Sequence, residues 1–529
     1  MHSQLNNPGI PQGNLAGLRT NTKYDILSGF LVFLIALPLC LGISLASGYP
    51  AVAGIITAII GGLVATFLSN SELTIKGPAA GLIVIALGCV TEFGFTGGVD
   101  LEKDYQAYRL ALGVGVAAGV IQIFFGIFRA GILGEFFPIA AIHGLLASIG
   151  IIIMAKQFPI MLGLHPHGSP LKLIAGIPSF IKNINPLVGS IGIFSLIVIA
   201  CYSLIKNPKM KLIPAPMMVL LITIPVGLYF KIGEEGTYIF NNQIYPLKDE
   251  FLVSVPLNLS HAFSFPDFSG LLTETGIKYV ILYSLIGSLE SILSSKAVDE
   301  IDPWHRKTDL DRDLLAVGTA NTIASFIGGL PMISEIVRSK ANIDNGARTR
   351  FANFFHGIFL LTCVALIPAA INHIPLASLA ALLVVTGFRL ASPKEFVHMY
   401  HLGKDQFIIF LSTIVGVLET DLLKGIAIGI GVNIILHIIN GVAFASFFKL
   451  NVEIEEKNQF VTIFILDSVI FSTWIPLRKR IYQYFKAGKK THLDFSEASI
   501  VDFTVRSNIC EWMNKFKEEG LELSVKGLE

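Results

Sequence analysis

Charge is scarce in this sequence. Of 529 residues only 15% are Asp, Glu, Lys or Arg, while 53% are hydrophobic and the mean hydropathy is +0.67. A soluble globular domain carries about 25% charged residues, so a wholly soluble fold is excluded. Net charge is also lacking, at +1, which leaves no global field to steer a nucleic acid or other polyanion. Cysteine is rare: the five residues Cys40, Cys89, Cys201, Cys363 and Cys510 show no paired spacing, so neither a disulfide framework nor a metal cluster is suggested. Four of them fall in apolar runs, where a small buried hydrophobe is the simplest reading. No phosphate-cradling loop, nucleophile elbow or zinc spacing occurs. Enzymatic chemistry, a bound cofactor and ATP-driven transport therefore have no support. The first 23 residues are polar and lack the apolar stretch of a signal peptide. They read as a short cytoplasmic tail.

What the sequence has is apolar runs of bilayer-spanning length. They predict an α-helical polytopic membrane protein with about fourteen spans, at 24–48, 50–68, 77–93, 106–128, 135–155, 187–205 and 213–230, then 271–295, 313–329, 331–344, 350–371, 376–392, 406–420 and 422–447. Basic clusters at Arg19/Lys23, Lys206/Lys209/Lys211, Arg306/Lys307/Arg312, Arg348/Arg350 and Arg389/Lys394/Lys404 all fall on one side of such a chain. The positive-inside rule makes that side cytoplasmic and places both termini there. The spans divide into two sets of seven, 24–231 and 271–447, separated by a polar loop. Residues 450–529 alternate between strand and amphipathic helix and predict a small α/β domain.

The third span of each set is interrupted. One opens SELTIKGPAAG from Ser71, where the strand-like LTIK run (73–76) predicts a short extended stretch entering the helix; the other reads GGLPMISEIVRSKANI from Gly328. Matched interruptions in two halves are the best sequence pointer to a transporter's binding site. A half-helix starting inside the membrane exposes unpaired N–H groups and a positive dipole end, which suits an anion. Pro78 and Pro331 fit a first helical turn, and Gly77, Ala79, Ala80 and Gly81 leave room for a ligand against the backbone. A pair of packing kinks is the bland alternative. Arg338, two turns into the second half-helix, reads as an anion partner, or as a charge neutralised by Glu335. Glu335 itself would repel an anion, and the residues do not decide where it points. Glu290, with Ser294 one turn later, reads as a coupling or gating acid that could hold a proton or a cation, or as a structural acceptor. Lys296 reads as a residue reaching the interface. His143 and His356 read as packed, hydrogen-bonded histidines. Asp299, Glu300, Asp302, Asp309, Asp311 and Asp313, with Arg306, Lys307 and Arg312, read as a solvated, self-neutralising loop.

The segments LESILSSKAVDEID (289–302), ANTIASFIGGLPMISEIVRSKANIDNGARTR (320–350) and HLDFSEASIVDF (492–503) together resemble the SulP family of anion transporters, over about residues 24–510. The LPLCLGISLASG stretch at 37–48 is similar to that family's first span. The resemblance implies a seven-plus-seven inverted repeat in which a core domain (spans 1–4 and 8–11) moves against a gate domain (5–7 and 12–14). It implies a secondary active transporter of a small inorganic anion, sulfate or bicarbonate, coupled to Na⁺ or H⁺. The anion would sit between the N-termini of spans 3 and 10. Carried over by position, the site would comprise Leu39, Ile43, Gly77, Pro78, Ala79, Ala80, Ser334, Glu335 and Arg338. Glu290 and Ser294 match the sodium site of bicarbonate-transporting members. The tail would be a shortened cytoplasmic STAS-like domain, and the protein a homodimer in the inner (plasma) membrane. Many members carry Gln at the position of Leu39, and some carry Ser at that of Glu335. Two other readings stay open: a nucleobase–cation symporter, whose carboxylates also lie in spans 8 and 10, and an anion channel or sensor.

Overall fold

The computed structural model describes residues 10–135, 137–166, 168–205, 213–457, 459–518 and 522–528. The basic cluster Lys206/Lys209/Lys211 lies outside them. The described chain is mostly helical and divides into two compact units, Met1–Gly131 with Ile149–Leu390, and Ile132–Ser148 with Ala391–Glu529.

All fourteen expected spans are present in order. Among the described residues seven helices are long and apolar enough to cross a membrane, four more are shorter and apolar, and the remaining expected spans are Leu310–Phe326, Ile336–Asp344 and Lys404–Glu419. The third member of each set is broken, as expected. The first helix, Leu15–Ala46, starts nine residues before the expected position. Asn14 explains this early start: its Oδ1 accepts the Gly17 N–H at 2.7 Å and caps the helix. Span 2 runs Ala51–Ile60, then a π turn at Gly61–Ala65, then Thr66–Leu68. A π turn frees a carbonyl. Asn353 in span 11 meets it, donating Nδ2 to Gly61 O at 3.0 Å and to Thr66 Oγ1 at 2.9 Å. Gly62 and Gly357 let the two helices touch, since a Cβ added at Gly62 would lie 2.7 Å from Gly357 Cα.

The start of span 3 is extended, as its LTIK run predicts, whereas the start of span 10 differs from expectation. Each begins as an extended strand, β1 (Ile75–Pro78) and β4 (Met332–Glu335). In the loop between the halves, β2 (Gly236–Phe240) and β3 (Gln243–Leu247) form a separate hairpin. β1 and β4 pair antiparallel, Ile75 opposite Glu335 and Pro78 opposite Met332. Helix resumes only at Ala80 in span 3 and Ile336 in span 10. Pro78 therefore closes a strand and Pro331 precedes one; neither starts a helix. The two strands satisfy each other's backbone groups, which hydrocarbon cannot do. Asn321 completes the pairing at the end of β4, accepting Met332 N–H at 2.5 Å and donating to Met332 O at 3.0 Å.

The GARTR run (346–350) ties the end of span 10 to the first helix within the first unit. Asp25 is fully buried and accepts Arg348 N–H at 2.9 Å, Thr349 N–H at 3.0 Å and the Thr349 hydroxyl at 2.5 Å. Arg350 Nε donates to Gly13 O at 2.9 Å. Asp25→Ala leaves the buried Thr349 N–H and the part-buried Arg348 N–H without their acceptor. It is expected to cost about 3 kcal/mol, read as a lower unfolding midpoint in detergent.

The acidic loop is solvated only in part: Glu300, Lys307 and Arg312 are exposed, but Asp299, Asp302 and Asp313 are buried. Asp302 is neutralised by Arg306 Nε at 2.7 Å as expected. Asp299 is instead buried, receiving the Thr308 N–H and hydroxyl at 2.6 Å each. Asp309 caps the helix Leu310–Phe326. Asp313 faces inward from that helix and leaves the loop altogether, for the partner described below. Cysteines 40, 89 and 363 are buried as expected, but Cys201 is exposed.

In the second unit, Lys404–Glu419 and Leu422–Ile439 are spans 13 and 14. His143 Nδ1 lies 2.5 Å from Glu395 Oε1, the hydrogen-bonded histidine the sequence suggested. The C-terminal region is an α/β domain with a sheet ordered β5 (Val452–Lys457), β6 (Phe460–Ile465), β7 (Lys490–Asp494) and β8 (Leu523–Lys526). The first pair is antiparallel and the other two are parallel. Helices Phe471–Lys486 and Phe503–Glu518 supply Trp474, Leu477, Ile481, Ile509 and Phe516 to a core shared with Ile463 and Leu493. This small domain fits the STAS-like fold.

Candidate anion site at the crossing of two broken spans

Strand alternation decides what each residue of β1 and β4 does. Successive side chains of an extended strand point to opposite faces. Lys76 and Ser334 are register partners on one face. Gly77, next along, lies against Arg338: a Cβ added there would stand 2.7 Å from Nη1. Only glycine leaves that space to the guanidinium.

Arg338 is fully buried. Its Nη2 donates to Pro78 O at 2.6 Å, and its Nη1 reaches Cys40 Sγ at 3.6 Å. Its Nε has no partner among the described residues. A guanidinium is always charged and offers five donors in a fixed fork. The carbonyl and the thiol engage only part of that capacity.

Glu335 resolves the puzzle left by the sequence. It is the N-cap of the helix Ile336–Asp344, and its Oε2 accepts the Arg338 N–H at 3.2 Å. Its charge is spent on the dipole of its own helix. The two half-helices are therefore unlike. Span 10 carries a carboxylate cap, whereas the helix starting at Ala80 has none: Ala79, in its N-cap position, makes no side-chain hydrogen bond. The positive end left open belongs to span 3.

Glu290 stands beside that open end. It is 8% exposed, and its carboxylate packs on Gly81, where any Cβ would collide with it. Its Oε1 has no hydrogen-bond partner among the described residues. Ser294 lies half-buried one turn further on. Among the described residues no three His, Cys, Asp or Glu side chains converge. Glu290 and Ser294 suit at most a hard cation completed by other oxygens.

The remaining sequence candidates sit close by. Ala79 and Ala80 are buried at 3% and 7%. Ile43 is buried and Leu39 half-buried in span 1, but the span-1 atom touching Arg338 belongs to Cys40. Ser334 is fully buried with its hydroxyl turned to the opposite face. There it meets a group that sequence reasoning passed over. Lys76 Nζ lies 2.6 Å from Asp313 Oδ1 and 2.5 Å from Ser334 Oγ. Asp313 also accepts Ser295 at 2.8 Å and Ser69 at 2.5 Å. The signal was present, since Lys76 lies inside the quoted TIKGPAAG. Its partner, however, is 237 residues away, and along the chain Asp313 reads with its acidic neighbours. His356 in span 11 is fully buried as expected, yet neither ring nitrogen has a partner among the described residues.

Comparison with known proteins bears on the family and the fold. The model of the sulfate permease family matches residues 23–413. “Putative sulfate transporter YvdB” of Bacillus subtilis (strain 168) is 27% identical over 412 residues, covering 77% of this chain and 72% of that protein. “Putative sulfate transporter YbaR” of the same organism is 24% identical, covering 96% and 95%. The bicarbonate transporter BicA of Picosynechococcus sp. (strain ATCC 27264 / PCC 7002 / PR-6) is 23% identical, covering 79% and 70%. Among solved structures, the transmembrane domain of a cyanobacterium bicarbonate transporter BicA superposes with a TM-score of 0.62 at 20% identity, over 78% of this chain and 98% of that one. SLC26A9 superposes with a TM-score of 0.68 at 13% identity, over 96% and 84%. These two share the fold. With a family match spanning most of its length, the chain belongs to the sulfate permease family, whose members are membrane transporters and not enzymes.

Proposed function

We propose that this protein is a secondary active transporter of a small inorganic anion of the sulfate or bicarbonate class. The anion binds between Arg338 and the uncapped N-terminus of the span 3 helix, within reach of Gly77, Pro78, Ala79 and Ala80. The observation that carries this reading is the buried Arg338 with spare donor capacity, next to a helix end without a cap. Both features favour an oxyanion, and each costs free energy in a membrane interior without one. Two of the relatives carry the name “Putative sulfate transporter” and one that of a bicarbonate transporter, which supports the class without choosing within it.

Coupling runs through Glu290, the buried acid over Gly81. Its carboxylate faces the same helix end as the anion, so its charge and the anion's compete for one positive dipole. Proton or Na⁺ uptake at Glu290, with Ser294, relieves that competition and couples cation to anion. Alternating access then moves the core spans against the gate spans. The protein acts as a homodimer in the plasma membrane, with its termini and STAS-like domain on the cytoplasmic side.

Uptake of radiolabelled sulfate and bicarbonate into proteoliposomes, with Na⁺ and pH gradients imposed separately, tests this directly. One of the two anions should accumulate against its gradient under one cation gradient. Glu290→Gln should keep anion binding and lose the dependence on the cation. Uptake with unchanged cation dependence in that variant would remove Glu290 from coupling. No uptake of either anion under any gradient would refute the transport reading.

A further inference from the structure

A lysine buried in a strand at the centre of a membrane domain needs a strong reason to be there. Lys76 is 1% exposed, and its ammonium meets Asp313 and Ser334. Around the same carboxylate stand the hydroxyls of Ser69, Ser295 and Ser334, at 2.5, 2.8 and 2.9 Å. Ser291 Oγ adds a further hydroxyl 3.1 Å from that of Ser334. These oxygens come from the end of span 2, span 8, the start of span 9 and β4. All five side chains are at most 3% exposed. One carboxylate ringed by hydroxyl oxygens is the donor set of a hard cation. An ammonium is a compact point charge of the same sign.

We propose that Lys76 is a resident cation: its ammonium occupies an oxygen cage formed by Asp313, Ser69, Ser291, Ser295 and Ser334, and that cage takes a Na⁺ ion when the ammonium is removed. The cage is distinct from the coupling position. Ser291 and Ser295, four residues apart, share the helix face turned to Asp313 and β4, whereas Glu290 faces Gly81. In the native chain the cage is neutral and already filled. No dissolved ion can couple there, and the charge left to meet an anion at the crossing is that of Arg338. The strand register adds a reason for a tethered cation. Lys76 pairs with Ser334 across β1 and β4, so the ammonium locks together the two strands from which both half-helices start.

Binding of ²²Na⁺ to the purified full-length protein in detergent tests this without relying on transport. All proteins carry Glu290→Gln, so that the other proposed cation position is silent. Adding Lys76→Ser should create binding of about one Na⁺ per chain. NaCl, compared with N-methylglucamine chloride, should then raise the unfolding midpoint of that protein. Glu290→Gln alone, and the triple variant that also carries Asp313→Asn, should show neither effect. A monodisperse Lys76→Ser protein without Na⁺ binding would overturn the proposal, as would equal binding with and without Asp313→Asn. Failure of Lys76→Ser to fold in NaCl also counts against it, because Na⁺ would then be unable to replace the ammonium. Retained anion uptake with no Na⁺ binding would sink the cage alone and leave the transport reading standing.

Discussion

Asp313→Ala is expected to destabilise the protein by about 3–5 kcal/mol, the usual cost of removing one partner of a buried ion pair. The reason lies in what remains. Lys76 would keep its charge at 1% exposure with only serine hydroxyls to face, and Ser69 and Ser295 would lose their acceptor. The double variant Lys76→Met with Asp313→Leu should recover most of that loss, since well-packed apolar replacements of a buried pair are often neutral. Equilibrium unfolding in mixed micelles over the full double-mutant cycle reads both numbers, and the coupling term isolates the pair. A loss below about 1 kcal/mol for Asp313→Ala would match an exposed pair and contradict the burial seen here.

Arg338→Ala should leave the fold standing but remove anion binding. Truncating one side of a buried, hydrogen-bonded charge contact costs about 2–5 kcal/mol, or roughly thirtyfold and upward in affinity. Pro78 O loses one donor and Cys40 a weak one, so the stability cost is expected to stay near 1–2 kcal/mol. Arg338→Lys should recover only part of the affinity, because an ammonium cannot give the forked contact of a guanidinium. Anion affinity is read from the concentration dependence of proteoliposome uptake, and stability from the unfolding midpoint of the same preparation. Wild-type affinity in Arg338→Ala would remove the arginine from the site.

The sequence was most informative where a periodic or compositional signal was local. Apolar run length located the spans, because the bilayer imposes one length on every crossing helix. The paired interruptions were legible for the same reason, since glycine and proline stand out against an apolar background. The extended entry to span 3 showed in its LTIK run. The helix of span 10 starts several residues later than the sequence predicts: Pro331 fits a helix start, whereas β1 provides a strand partner that keeps Met332–Glu335 extended. Glu335 takes its role from the fold. By sequence alone it is an acid at the mouth of an anion site. As the N-cap of Ile336–Asp344 it is a neutralised helix end, and it shifts the open positive terminus to span 3.

What the sequence determined by itself was the class of protein: a membrane-spanning helical bundle in two sets of seven, each broken at its third span, with an α/β domain after it. Those features follow from hydropathy, length and turn chemistry, which act within some twenty residues of chain. What only the tertiary structure decided was the pairing of charges. Lys76 with Asp313, Asp25 with the GARTR backbone, and Glu290 against Gly81 join residues from about two hundred to more than three hundred positions apart. A buried charge is set by whatever neutralises it in a low-dielectric interior, and that partner is chosen by how helices and strands cross, not by what stands next along the chain.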